Sequence, residues 1–231
     1  MFTANQLMGM GAGLSATQAQ AIAKKANQAL AGQIATRAQK YMLLKQALLS
    51  PNIQAIIKAG SVKFTNESYF FRVLIGTALN GAIVFNTGTV VATNGLTNLQ
   101  NGKIVANSAA VITEVGVKVA LPGSSLTDPS LTTYTNMDAS IPAALQNAEL
   151  TIKIKGQPLP MMPLKDFFAF GDTVVSNGLG RDKVTLQSPI LLNETDTIDA
   201  QIQFPPNNAT ALAHAGFIEL SLYGCGIRIG A

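Results

Sequence analysis

The chain has 231 residues, which is enough for one β-domain with an appendage or for two small domains. Charged residues make up 12% of the chain and hydrophobic residues 48%, a balance that favours a protein burying its surface against copies of itself over a free monomer. One histidine, His214, and one cysteine, Cys225, exclude a conventional four-ligand zinc site and an internal disulfide.

The first 66 residues carry seven Lys and Arg residues and no Asp or Glu, whereas the rest of the chain holds every acidic residue. This asymmetry predicts an arm that faces something anionic, either nucleic acid or a membrane surface. A helix docked on the protein with merely solvated lysines fits the same pattern. The cations predicted to face the anion are Lys24, Lys25, Arg37, Lys40 and Lys45.

The same arm is predicted to be helical. Ser15 to Gln18 fits a capping box, and the chain from there to Leu49 is rich in good helix formers. Pro51 should end this helix, and a second short helix is predicted at Ile53 to Lys58 with Gly60 as its C-cap. Apolar residues recur at helical spacing and form one stripe. The stripe comprises Ala23, Leu30, Ile34, Ala38, Tyr41, Leu44 and Leu48, of which Leu30, Ile34, Tyr41 and Leu44 are predicted to dock the arm.

From Ser61 onward the hydrophobic pattern alternates, which indicates strands. Alternation is clearest in Glu149 to Lys155 and in Thr197 to Phe204, where every second residue is apolar. Further strands are predicted at Val62 to Thr65, Tyr69 to Ile75, Ala82 to Phe85 with Val90-Val91, Ala110 to Ala120, Asp172 to Val175, Lys183 to Leu186, Phe217 to Tyr223 and Cys225 to Ile229.

Turn signals such as Asn80-Gly81 and Asn101-Gly102 separate these runs, and Leu126 to Leu145 is predicted to be a long polar loop. Roughly eight to ten short strands predict a mainly β fold, a single jelly roll or β-sandwich with an N-terminal α-helical arm. Residues 1–60 form the arm in this interpretation and residues 61–231 the β-domain. A β-barrel and an immunoglobulin-like sandwich fit the same pattern, because the sequence does not give the strand order.

Motifs of catalytic or cofactor chemistry are missing from the sequence, including the Gly-x-Ser-x-Gly elbow, His-Glu-x-x-His and phosphate-binding loops. His214 and Cys225 are predicted to be structural. Glu194, Asp196 and Asp199 could offer oxygen ligands to calcium, but their spacing is typical of an exposed acidic turn. The sequence therefore predicts a protein that is not an enzyme, with no catalytic residues, no cofactor and no metal.

The acid-free basic arm of residues 1–66, the turn-rich β-domain and the final strand at Phe217 to Gly224 together form a plan that resembles jelly-roll capsid proteins of icosahedral viruses. The resemblance covers the whole chain as an architecture and contains no specific motif. An arm rich in Ala and Gln, without an internal disulfide or a secretory signal, looks like that of a bacteriophage protein.

The resemblance implies a structural virion protein that forms a closed shell as a homo-oligomer, together with other capsid proteins. It implies location in the virion, assembly in the host cytoplasm, and an arm facing nucleic acid or an internal membrane. Two other classes remain open. One is a ligand-binding or adhesive β-sandwich module, although a chain without Trp has few aromatic platforms for sugars. The other is a peripheral membrane protein whose arm lies in the interface.

Overall fold

The computed structural model describes residues 36–60, 62–85, 88, 90–135, 141–168, 183–206 and 210–229. These residues contain three α-helices: α1 (Arg37–Leu44), α2 (Pro51–Ala59) and α3 (Ala143–Gln146). Short 3-10 helices lie at Gln46–Leu48, Pro129–Leu131 and Leu164–Phe167. The strands are β1 (Phe64–Leu74), β2 (Ala82–Phe85), β3 (Ser108–Ala120), β4 (Glu149–Ile154), β5 (Gln157–Pro158), β6 (Met162–Pro163), β7 (Val184–Asn193), β8 (Ile198–Gln203) and β9 (Phe217–Arg228).

Two antiparallel sheets face each other and form a β-sandwich. The first sheet has the strand order β1-β9-β3-β7, and the second has the order β2-β8-β4-β5, with β6 also paired to β4. The core between them includes Leu150, Ile152 and Ile202 from the second sheet and Val117 and Leu220 from the first, each at most 1% exposed. The predicted mainly β sandwich with an N-terminal helical segment is confirmed.

Two pairs of predicted strands are single strands in the structure. β1 joins the runs on either side of Glu67, and β9 continues through Gly224 without a break. β9 pairs with β1 on one side and with β3 on the other along almost its whole length. Because neighbouring strands on both sides satisfy its backbone hydrogen bonds, a single glycine does not end it.

Other strand boundaries also differ from the predictions. β7 extends to Asn193, past the predicted end at Leu186. Val90-Val91 is not in a strand. The end of the predicted loop at Leu126 to Leu145 lies in α3, where Leu145 is fully buried. The short β5 and β6 were not predicted, because runs of two residues carry no alternation. The predicted strand at Asp172 to Val175 lies outside the described residues.

The predicted continuous helix from Ser15 to Leu49 is wrong in its described part. Thr36 has an extended backbone (ψ 164°) and caps α1, which ends at Leu44. The Thr36 side chain accepts a hydrogen bond from the Gln39 amide at 3.3 Å, and the Gln39 side chain accepts one from the Thr36 amide at 2.8 Å. This capping box stops the helix from extending towards the N-terminus. The predicted second helix is confirmed as α2, with Gly60 in the left-handed conformation as its C-cap.

Candidate functional site

The described part of the arm, residues 36–60, packs on the outer face of the first sheet. Ala38 and Met42 of α1 and the following Leu49 and Ile53 are each at most 6% exposed. This packing gives a second apolar cluster, separate from the core between the sheets. One side of the segment is therefore packed on the sheet, and its opposite side faces away from the sheet. The strand residues of the second cluster are Ala109, Val111, Cys225 and Ile227.

The opposite side of α1 is both cationic and apolar. Each residue of an α-helix turns the side chain by about 100°, so Leu44 points nearly away from the buried Met42. Leu44 is 81% exposed and Leu48 is 64% exposed. We give the name basic leucine face to the exposed cations and leucines of this segment. They are Arg37, Lys40, Leu43 and Leu44 of α1, and Lys45 and Leu48 directly after it.

A groove of about 540 Å³ opens on the basic leucine face, lined by Arg37, Lys40, Tyr41, Leu44 and Pro189. The Arg37 guanidinium also donates a hydrogen bond to the backbone carbonyl of a β7 residue, Gln187. This contact fixes the start of α1 against the edge of the first sheet. The groove therefore places two cations beside apolar side chains.

Three of the five cations predicted to face an anion lie in the described residues, and all three are exposed. Arg37 and Lys40 line the same groove, and Lys45 directly follows α1. Lys24 and Lys25 lie outside the described residues. That these cations contact an anion stays a prediction.

The four predicted docking residues have different positions. Tyr41 is half-buried and packs against the second apolar cluster. Leu44 is exposed and does not pack on the sheet, whereas Met42, four residues after the buried alanine of α1, takes that role. Successive steps of three residues rotate the predicted stripe away from the sheet, and a step of four would have identified Met42. Leu30 and Ile34 lie outside the described residues.

Cys225 lies under α1 and is 6% exposed. Burial raises the pKa of its thiol, and a hydrogen bond with the Gln39 side chain acts in the opposite direction. It is the single cysteine of the chain. Alkylation of this thiol therefore reports how often the arm segment lifts from the sheet.

Replacing Met42 with alanine should accelerate alkylation of Cys225 about 30-fold, because loss of a buried methionine side chain weakens the docking by about 2 kcal/mol. The measurement is the rate of iodoacetamide labelling of the folded protein, followed by mass spectrometry. Leu44→Ala is the matched control and should leave the rate unchanged, since this side chain is 81% exposed. Equal rates for the two variants would contradict the docking described here.

A second groove, of about 680 Å³, opens on the outer face of the first sheet beside the start of α1. The Lys183 ammonium lies 4.1 Å from the centre of the Tyr223 ring and 4.0 Å from the Glu114 carboxylate. Asn66 and Ser68 of β1 also line the groove. Glu67 and Cys225 line it as well, and one aromatic ring among hydrogen-bonding side chains can bind a polar ligand.

The structure shows the surroundings of His214 and of the acidic turn that contains Asp196. The nearest described partner of His214 is the exposed Ser125, whose hydroxyl lies 3.4 Å from Nδ1. The acidic turn is not fully exposed as predicted, because Asp196 is 5% exposed and pairs with Lys155 at 3.1 Å. In the described ranges, His, Cys, Asp and Glu side chains form no group of three or more that could hold a metal ion.

No protein-family model matches this sequence, and no curated protein resembles it significantly. In the part of the chain that the structure describes, no helix has both the length and the apolar character needed to cross a membrane. Function is therefore argued from the chain's own residues.

Proposed function

We propose that this protein is a non-enzymatic structural virion protein, a capsid subunit that assembles with copies of itself into a closed shell. The strand order supports this proposal. β1, β3, β7 and β9 lie in the first sheet, and β2, β4, β5 and β8 lie in the second, so the chain passes repeatedly between the sheets. Such winding of eight strands is typical of a jelly roll, a fold used by viral capsid proteins and also by lectins. The fold alone does not select between these uses.

The observation that carries the proposal is the amount of apolar side chain that a single chain leaves uncovered. Leu131 is 70% exposed and Met161 is 65% exposed, although only 12% of the residues are charged. Few charges leave little electrostatic repulsion to keep such surfaces apart, so contact with other subunits would bury them. Apart from the three leucines of the basic leucine face, the other exposed large hydrophobic residues in the described ranges are Leu74, Val84, Val91 and Val105.

In the proposed particle, each subunit contacts copies of itself and other capsid proteins. The arm faces the interior, where nucleic acid or an internal membrane supplies the anionic partner for its cations. The protein is then located in the virion, of bacteriophage type, after assembly in the host cytoplasm.

The groove of about 680 Å³ favours a second candidate function, a ligand-binding or adhesive β-sandwich module. Its hydrogen-bonding side chains surround the Tyr223 ring, as in sites for polar ligands such as sugars. A module of this kind needs no shell and should stay a monomer or small oligomer.

Purified wild-type protein should form closed shells or defined trimers or pentamers, measured by light scattering and negative-stain imaging across salt concentrations. Leu131→Asp should raise the protein concentration needed for assembly, because a charge replaces an apolar contact. Thr127→Asp is the control, since it adds the same charge nearby at an exposed polar position. A wild-type protein that stays monomeric at high concentration would contradict the shell function and favour the ligand-binding module.

A further inference from the structure

The basic leucine face has a composition that restricts the chemistry of its partner. It combines leucines that are 39–81% exposed with three exposed cations, two of which line a groove with Leu44. Residues 36–60 contain no Asp or Glu. Among the ion pairs of the described residues, none involves Lys40 or Lys45. A partner must therefore accept apolar side chains and positive charge at the same time.

We propose that the basic leucine face binds an anionic lipid surface, with its leucines inserted at the level of the headgroups and its cations on the lipid phosphates. This inference rests on the proposed function, in which the arm faces either a genome or an internal membrane, and it selects the membrane. α1 would lie parallel to the membrane plane, as interfacial amphipathic helices do.

The packing of α1 on the sheet preorganises the basic leucine face for binding. Met42 is fully buried on one side of the helix while Leu44 points away on the other. The sheet thus holds the helix in its folded form, and the binding energy is not spent on ordering it. The groove of about 540 Å³ beside Leu44 offers room for a headgroup between Arg37 and Lys40.

Nucleic acid fits this face less well than lipid does. Phosphates would pair with the cations but would leave Leu44 and Leu48 against a charged backbone. Unpaired bases stack mainly on aromatic side chains, and the aromatic residue that lines this groove, Tyr41, is half-buried against the sheet.

A second copy of the chain also fits less well. A two-fold contact would place each basic leucine face against the same face of the partner. Arg37, Lys40 and Lys45 would then meet like charges with no carboxylate from residues 36–60 to balance them. Charge complementarity therefore favours an anionic surface.

The first experiment uses Leu44→Trp in the full chain, which has no tryptophan of its own, so that the indole is the sole reporter. Its emission should shift to shorter wavelength with vesicles of equal parts phosphatidylglycerol and phosphatidylcholine, and it should not shift with phosphatidylcholine alone. Thr127→Trp is the matched control, because Thr127 is exposed and lies outside the arm, and its emission should not change.

The second experiment removes the cations. Lys40→Gln with Lys45→Gln should weaken binding to the anionic vesicles about 25-fold, because each lysine near such a surface contributes about a factor of five. Lys153→Gln with Lys165→Gln is the control for net charge, since both lysines are exposed and lie outside the arm. High salt should weaken wild-type binding in the same direction.

Unchanged emission of Leu44→Trp with anionic vesicles would overturn the inference. Binding to oligonucleotides without binding to vesicles would overturn it in favour of nucleic acid, and self-association through Leu44 alone would overturn it in favour of a second copy. Light scattering of the same samples keeps the two proposals distinct. Shells that ignore vesicles refute the lipid inference only, whereas vesicle binding by a protein that never assembles refutes the shell and indicates a peripheral membrane protein.

Discussion

Replacing Gly224 with alanine should destabilise the protein by about 3 kcal/mol, because the added methyl group meets backbone that cannot move aside. A Cβ at this position would lie 1.9 Å from the carbonyl oxygen of Val111. Gly224 is in β9, in the centre of the first sheet, so relief of the clash would separate β9 from β3.

The close approach arises from a β-bulge in β3. Ile112 pairs with Gly224 and Glu114 pairs with Tyr223, so Thr113 is one residue extra on the β3 side. A bulge bends its strand and increases the local twist, so the spacing to the partner strand is irregular here. A residue without a side chain is needed at 224 for this reason, and not because of an unusual backbone angle.

The measurement is urea unfolding followed by circular dichroism at fixed protein concentration. Gly123→Ala is the matched control and should change the free energy of unfolding by less than about 0.5 kcal/mol, because no atom lies within 4 Å of its new methyl group. Gly226→Ala should fall between the two, since its Cβ would meet the flexible side chain of Glu67 at 2.4 Å. Equal stability of Gly224→Ala and Gly123→Ala would show that the bulge is not as described.

Replacing Arg228 with methionine should destabilise the protein by about 2 to 3 kcal/mol, because it leaves the buried carboxylate of Glu67 without its counter-charge. The Arg228 guanidinium lies 2.5 Å from the Glu67 carboxylate, whose side chain is 5% exposed. Arg228 itself is 42% exposed, and this access of water places the effect at the lower end of the range for buried pairs.

The groups that remain around the carboxylate are neutral and cannot replace the arginine. The Thr65 hydroxyl donates a hydrogen bond to Glu67 at 2.8 Å. Burial and the neighbouring Glu67 raise the pKa of the Tyr69 phenol far above its ordinary value, so it stays protonated. Two hydroxyl groups can hydrogen-bond to the carboxylate but do not balance its charge.

A double-mutant cycle tests this prediction. Adding Glu67→Gln to Arg228→Met should restore most of the lost stability in urea unfolding, because the buried charge is gone. Lys183→Met is the control; its pair with Glu114 spans 4.0 Å with both side chains more than one third exposed, so its loss should cost less than about 1 kcal/mol. If Arg228→Met behaves like Lys183→Met, the Glu67–Arg228 pair does not stabilise the fold.

The mainly β fold of this protein could be predicted because every second residue is apolar in a strand that buries one face. The alternating runs at Glu149 to Ile154 and Ile198 to Gln203 are the paired strands β4 and β8, with every second residue buried. The turn at Asn101-Gly102 has positive φ angles at both residues, as Asn-Gly favours. The hairpin from β4 to β5 uses Lys155-Gly156 in the same conformation, and nothing about lysine indicates that.

In the arm, a local sequence pattern predicts some helix boundaries but does not predict which side of a helix is buried. Gly60 is the C-cap of α2 as expected, because glycine adopts the left-handed conformation that ends a helix. Pro51 does not end the preceding helix, which already ends at Leu44, but is the first residue of α2. The start of α1 was not predicted, although Thr36 and Gln39 have the spacing of a capping box. Which side of α1 faces the sheet depends on the position of the sheet.

The sequence by itself determined the strand-rich composition, the basic arm and turns such as Asn101-Gly102, since each depends on residues close together in the chain. Only the tertiary structure decided that Met42 docks the arm while Leu44 is exposed, and that Glu67 is buried opposite Arg228, 161 residues away. It also decided that Gly224 must lack a side chain. Each of these depends on contacts between atoms of segments that are far apart in the chain. A local pattern of residues does not identify such contacts.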